Sequence, residues 1–284
     1  MIPARRRALI VESARRHGAV SVAEMAVALA ASAATIRRDI EHLTEHGYLV
    51  RARGGAILPT AAEATFEPEA AIAKRTAERE KEAIGRAAAE LVAPGQSLIL
   101  DSGSTTLAAA CALAARRIPV TAVTNDLVIA GVLGRAAMGR VIVTGGTLRP
   151  GSNTLLGEPG EALLRNLHAE VAFLGAHAVS GAVMTETSLD AARFKREVMT
   201  AARRVVLLVD HTKFGDPAFC TIGSLDSIHA VVTDDRTPPD VVESLRERGL
   251  AVTVAVVGGA DGPARSGAGY ARQRAGQRKV PTNS

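Results

Sequence analysis

The sequence predicts an α/β protein in two parts: a small, mostly helical head and a larger body on a mainly parallel sheet. Two patterns carry that reading. Residues 5–46 hold three segments with helical spacing and recognisable ends, and beyond residue 96 short runs rich in Val, Leu and Ile alternate with Ala-rich segments of helical length. A chain of 284 residues suits two domains, since single cores usually run to roughly 100 to 200 residues. With no Trp, two Tyr and five Phe, aliphatic side chains must fill those cores.

Each element of the head has a local cause. Arg5 to Arg16 carries Leu9, Ile10 and Ala14, and His17-Gly18 ends it. Ser21 to Ala30 opens with the capping box Ser21-x-x-Glu24, and Val22, Met25, Ala26 and Leu29 supply its buried stripe. Ser32 caps a third helix that runs to about His46, where Gly47 stops it. Only Ala30 and Ala31 separate the second and third helices. Helices joined so tightly cross steeply, which is the helix-turn-helix arrangement.

On the third helix, a step of about 100° per residue puts Ile36, Ile40 and Leu43 on one buried stripe and Arg38 on the opposite side. Thr35 and Arg37 flank the stripe. Asp39 leans toward the neighbouring helices, where it would anchor the helix pair and hold an arginine of the first helix. The basic first half of this helix suits a DNA groove, and the acidic half with Glu41 and Glu45 stays clear of phosphates. A bland alternative pairs Arg37 and Arg38 with Glu41. The stretch YLVRARGGAIL then reads as two short strands with Gly54-Gly55 at the turn and Arg51 and Arg53 on one side, a wing that lies along the phosphate backbone or minor groove. The DNA-facing residues in this reading are Ser32, Thr35, Arg37, Arg38, Arg51, Arg53 and Gly54.

The charge distribution agrees. Residues 1–60 hold nine Arg against five acids, a balance of +4, and residues 256–284 hold five basic residues against one acid, again +4. Of the net +5, the middle therefore carries 5 − 4 − 4, or −3. A basic head on a mildly acidic body points to a polyanionic partner. No apolar run approaches the ~18 residues that a membrane helix needs, so a soluble, cytoplasmic protein is expected. Cys111 and Cys220 form neither a disulfide framework nor a zinc spacing and read as ordinary buried thiols.

The expected boundaries are a head over residues 1–58, a linker over 59–68 (PTAAEATFEP), a body over 69–255 and a disordered basic tail over 256–284. A charged helix should run from about Glu69 to Val92. Six β-rich runs follow: SLILD (97–101), PVTAVTN (119–125), RVIVTGG (140–146), EVAFLGA (170–176), RVVLLVD (204–210) and HAVVTDD (229–235).

Ligands in open α/β sheets settle beyond the carboxyl ends of the strands. The first such end is Asp101-Ser102-Gly103-Ser104-Thr105-Thr106, a turn of small residues and hydroxyls that starts a helix and suits a phosphate or carboxylate. Thr124-Asn125-Asp126, Thr144-Gly145-Gly146 with Arg149, Lys195, and Asp210-His211-Thr212-Lys213 add polar groups at other ends. Together they favour a polyol with an anionic group. There is no Walker lysine, GxGxxG or HExxH, so nucleotide hydrolysis, dinucleotide redox chemistry and zinc-protease chemistry lack support, and no cofactor or metal is expected.

These residues resemble the DeoR family of bacterial transcriptional regulators. The head carries Ser32-x-x-Thr35-Ile36-Arg37-Arg38-Asp39-Ile40 and Arg51-Ala52-Arg53-Gly54-Gly55-Ala56; the body carries Arg75 and Lys81, DSGSTT, TND, GGTLR, AFLGA, Lys195, LVDHTKFG and VVTDD. The resemblance spans residues 5–255. It implies a winged helix-turn-helix domain on a sensor domain like the ribose-5-phosphate and glucosamine-phosphate isomerases. It further implies a homo-oligomeric repressor of a sugar or nucleoside catabolic operon, bound to double-stranded operator DNA and released by a phosphorylated sugar. Asp101, Ser102, Gly103, Ser104, Thr105 and Thr106 would hold the phosphate, with Asn125, Gly146 and Lys195 on the rest, as binding groups in a non-enzyme. Three positions depart from the family: Arg53 replaces a His, Glu170 replaces an Asp, and His177-Ala178 replaces an Asp-Gly pair. The alternative is an isomerase-like enzyme with a basic head, for which Glu186, Asp190 or Asp210 would be the base.

Overall fold

The computed structural model describes residues 1–45, 48–57, 76–137 and 139–258. The expected linker, residues 69–75 of the helix expected from Glu69, and nearly all of the expected tail lie outside them; within the described residues that helix starts only at Glu78, because Ala77 before it takes the left-handed conformation (φ +51°).

The head opens with α1 (Pro3–His17), started by its proline and ended by Gly18 in the left-handed conformation. A short strand, β1 (Ala19–Ser21), precedes α2 (Val22–Ala28) and α3 (Ala33–Glu45). Ser21 Oγ accepts the Glu24 N–H at 3.1 Å and Ser32 Oγ accepts the Thr35 N–H at 3.1 Å, so both expected caps form. The wing is β2 (Val50–Ala52) and β3 (Gly55–Ile57), with Ala52 opposite Gly55. Two details differ from expectation. The turn is Arg53-Gly54, so Arg53 sits on it and not on a strand, and Gly54 takes the left-handed conformation there (φ +82°). Gly55 instead permits a close approach: β1 pairs with β3, and a Cβ on Gly55 would lie 1.9 Å from Val20 O. The three helices and three strands enclose one core around Ile10, Ile36, Leu43 and Leu49.

The body begins with α4 (Glu78–Glu90) and proceeds through β4 (Ser97–Leu100), α5 (Ser104–Arg116), β5 (Val120–Thr124), α6 (Leu127–Ala136) and β6 (Gly139–Val143). A small hairpin, β7 (Thr147–Leu148) and β8 (Leu155–Leu156), leads to α7 (Gly160–Leu164) and β9 (Ala169–Leu174). Then come β10 (Ala178–Ser180), β11 (Val183–Glu186), α8 (Leu189–Thr200), β12 (Ala202–Leu208), β13 (Cys220–Ser224), β14 (Ala230–Asp234), α9 (Pro239–Glu247) and β15 (Ala251–Ala255).

Seven strands form one parallel sheet in the order β15-β14-β12-β9-β4-β5-β6. All six expected runs are in it. The seventh, Ala251–Ala255, and the separate antiparallel sheet β10-β11-β13 were not expected. Leu98 and Leu100 belong to one core and Ile99 to the other, because successive residues of a strand face opposite sides. One face is covered by α4, α5 and α6 and the other by α8 with the small sheet. The cysteines correct an expectation: Cys111 is exposed and Cys220 half-buried.

Candidate nucleic-acid interface and strand-end site

On α3 the stripe Ile36, Ile40 and Leu43 is buried, and Arg37 and Arg38 are both exposed. Asp39 is buried between the first and third helices, with Oδ2 accepting from Arg6 Nε at 2.5 Å and Oδ1 from Arg7 Nε at 3.0 Å. It therefore fixes the rotation of α3 against α1 and thereby the direction in which Arg37 and Arg38 project. Ser32 and Thr35 share a hydrogen bond between hydroxyls at 2.8 Å at the start of the helix. Arg51, Arg53 and Gly54 are exposed on the wing. Among the described residues no carboxylate pairs with Arg37, Arg38, Arg51 or Arg53; the pairing with Glu41 does not form. The wing's turn is tied to the recognition unit by Val22 N–H, which donates to Gly54 O at 2.9 Å. Four uncompensated guanidiniums on a braced helix and its wing can meet phosphates and, in the major groove, base edges.

At the carboxyl edge of the sheet, the ends of β12, β9, β4, β5 and β6 bring Asp210, Gly175, Asp101, Asn125 and Thr144 into a row. Asp101 and Lys195, 94 residues apart in the chain, meet there. Lys195 Nζ donates to Asp101 Oδ2, to Gly175 O at 2.9 Å, and faces Glu186 Oε2 at 3.5 Å. Burial works against the Lys195 charge, but Asp101 and Glu186 outweigh it and raise its pKa above the ordinary lysine value. Burial likewise pushes Asp101 up, against Lys195; its Oδ2 accepts only from donors, Lys195 and the Gly175 N–H at 3.2 Å, as a carboxylate does. Beyond Asp101, Ser102 and Gly103 lead into the N-terminus of α5, the positive end of its dipole; Thr106 Oγ1 donates to Gly103 O at 2.9 Å. Ser104 is half-buried, and Thr105 and Thr106 are buried.

Asn125 is fully buried. Its Nδ2 donates to Leu155 O at 3.0 Å, and its Oδ1 has no protein partner. This buried carbonyl oxygen at a strand end is therefore an unsatisfied acceptor within the protein. Gly146 (φ +117°) allows the hairpin to close, since a Cβ there would stand 2.6 Å from Leu156 O. It shapes the rim through its backbone.

Three residues fall differently from their expected weight. Glu170 is at the opposite end of its strand, where Oε2 accepts the Ser97 N–H at 2.7 Å and hydroxyl at 2.8 Å; its departure from the family does not touch the site. Asp190 is exposed. Glu186, one of the three carboxylates offered as a base in the enzyme alternative, is buried against Lys195. No sequence spacing announces it, because the contact joins the end of β11 to α8.

A DNA-facing winged head on an α/β body with an anion-ready strand-end site defines a ligand-responsive DNA-binding protein. The chain belongs to the DeoR family: the family model for the DeoR-like helix-turn-helix domain matches residues 6–62, and that for the DeoR C terminal sensor domain matches residues 76–235. It is 35% identical to the uncharacterized HTH-type transcriptional regulator YgbI of Escherichia coli (strain K12), over 90% of this chain and 99% of that one. It is 32% identical to the putative aga operon transcriptional repressor of Escherichia coli O157:H7 (87% and 92% covered). It is 33% identical to the glycerol-3-phosphate regulon repressor of Escherichia coli (strain K12) (84% and 93% covered). Among solved structures, ribose 5-phosphate isomerase A from Methanocaldococcus jannaschii aligns with 49% of this chain and 55% of its own at 18% identity and a TM-score of 0.38.

Proposed function

We propose that this regulator represses a sugar-related catabolic operon as a cytoplasmic homo-oligomer and is released from its operator by a phosphorylated sugar. The observation that carries the DNA half is the exposed, unpaired set Arg37, Arg38, Arg51 and Arg53, held by the Arg6-Asp39-Arg7 brace. Arg38 reads a base, Arg37, Arg51 and Arg53 clamp phosphates, and Ser32, Thr35 and the Gly54 backbone approach the sugar-phosphate chain. Half-site recognition calls for two heads, hence for more than one copy. Among the described residues no helix is long and apolar enough to cross a membrane.

The effector half is supported by the row of strand ends. The amides of residues 102–106 take the phosphate, and the Asn125 Oδ1 left without a protein partner takes a hydroxyl. These are binding groups, and Gly146 and Lys195 shape and hold the site. Relatives named as repressors of the aga operon and the glycerol-3-phosphate regulon support the same class of pathway. A thermal-shift screen of sugar phosphates against the whole chain tests it. A ligand that binds only the native state at a hundred times its Kd adds about 2.7 kcal/mol of stability, so a cognate phosphosugar should raise Tm by several degrees. A set of phosphosugars of three to six carbons that leaves Tm unmoved would remove the effector reading.

A further inference from the structure

Glu186 is 7% exposed, and the charges around it set what else the site can hold. Lys195 spends its three N–H bonds on Asp101, Gly175 O and Glu186. Lys81 spends one on Thr76 O at 2.8 Å and faces Asp210 Oδ2 at 3.8 Å. Lys213 acts on both Glu186 and Asp210. Burial opposes ionisation of Glu186, but Lys195, the Thr187 N–H at 2.9 Å, His177 and Lys213 outweigh it and hold its pKa below the ordinary glutamate value. At contact distance Asp101 and Glu186 thus face Lys195 and Asp210 faces Lys81, with Lys213 and His177 adding positive charge around Glu186. The dipoles of the turn at 102–106 provide for one anion, and no ammonium of this group is left over for a second. Arg149 belongs to the hairpin pinned to Asn125 on the other side of Asp101.

We propose that Glu186 is a selectivity residue: its carboxylate completes this pairing, so the site takes an effector with one phosphate and an uncharged hydroxyl-bearing remainder and rejects one with an added carboxylate or second phosphate. A carboxylate accepts hydrogen bonds from hydroxyls and repels another anion. The proposal rests on the effector reading above and names its chemical class. Removing the charge while keeping the acceptor, as Glu186→Gln does, takes one negative charge away from Lys195 and should create affinity for an acid.

The test is calorimetric titration of the whole chain with three matched pairs: glycerol 3-phosphate and 3-phosphoglycerate, ribose 5-phosphate and 5-phosphoribonate, glucose 6-phosphate and 6-phosphogluconate. Wild type should prefer the member without the carboxylate in at least one pair by about tenfold or more, the usual scale of one nearby charge. Glu186→Gln should erase that preference by gaining affinity for the acid, and Glu186→Asp should keep it. A gain for the acid is an outcome that mere loss of structure cannot produce. An unchanged ratio in Glu186→Gln, or wild type preferring the acid, overturns the proposal while leaving the phosphosugar reading in place. If no member of any pair binds wild type or variant, both fall.

Discussion

At the residue scale, Arg37, Arg38 and Asp39 are consecutive and do three different things. The helical period alone separates them: Asp39 points inward to Arg6 and Arg7, and both arginines remain outside, on different sides of the helix. Arg38→Ala should weaken binding to operator DNA by about 1 to 3 kcal/mol, with little change on random DNA, as expected for a base contact. Equal weakening on both, measured by fluorescence anisotropy, would make Arg38 a phosphate contact. Asp39→Ala strands two arginines, both partly buried, and should destabilise the head by about 2 to 4 kcal/mol in urea melts; an unchanged midpoint would show that Asp39 is no brace. Asp39 was legible because the wheel turned it away from solvent. Glu186 was not, because its partner is on another element.

At the scale of elements, capping residues and alternation announced most of what forms. Ser21 and Ser32 start their helices through their own hydroxyls, and runs such as SLILD and RVVLLVD carry enough Leu and Val to specify buried parallel strands. What stayed hidden was short or set by partners. Ala19–Ser21 has three residues and no pattern of its own, and it is a strand because β3 runs beside it. Gly55 makes that pairing possible, so its role is close approach and that of Gly54 is the turn. Gly55→Ala puts a methyl into the Val20 carbonyl and should cost the head about 1 to 3 kcal/mol or more. Operator affinity should fall with it, whereas phosphosugar binding by the body should be unaffected. An intact wing in the variant, seen by amide exchange of residues 50–57, would contradict the close-packing account.

At the scale of the whole molecule, the fold separates a basic reader from a charge-balanced sensor. The alternation of strands and helices made the parallel sheet and its ligand edge legible, and the Arg distribution made the head's partner legible. The sensor's charged cluster was not, because Lys81, Asp101, Glu186, Lys195 and Asp210 come from α4, the turn after β4, β11, α8 and the segment after β12, and meet only when the sheet forms. Arg236, after β14, reaches Glu80 of α4 at 2.8 Å and Glu12 of α1 at 3.4 Å, a half-exposed bridge between body and head. The pair that reaches the head, Arg236–Glu12, is partly exposed and contributes only about 0 to 1 kcal/mol.

The central claim is that this chain is a DNA-binding regulator whose sensor releases it. The most direct measurement is the affinity of the whole chain for its operator DNA, at fixed salt, with and without the phosphosugar that raises its Tm. The account predicts tight binding to the operator that falls by about tenfold or more when that compound is added, within the usual range of about 1 to 3 kcal/mol for coupling between sites. Operator affinity indifferent to a compound that demonstrably occupies the sensor would contradict it.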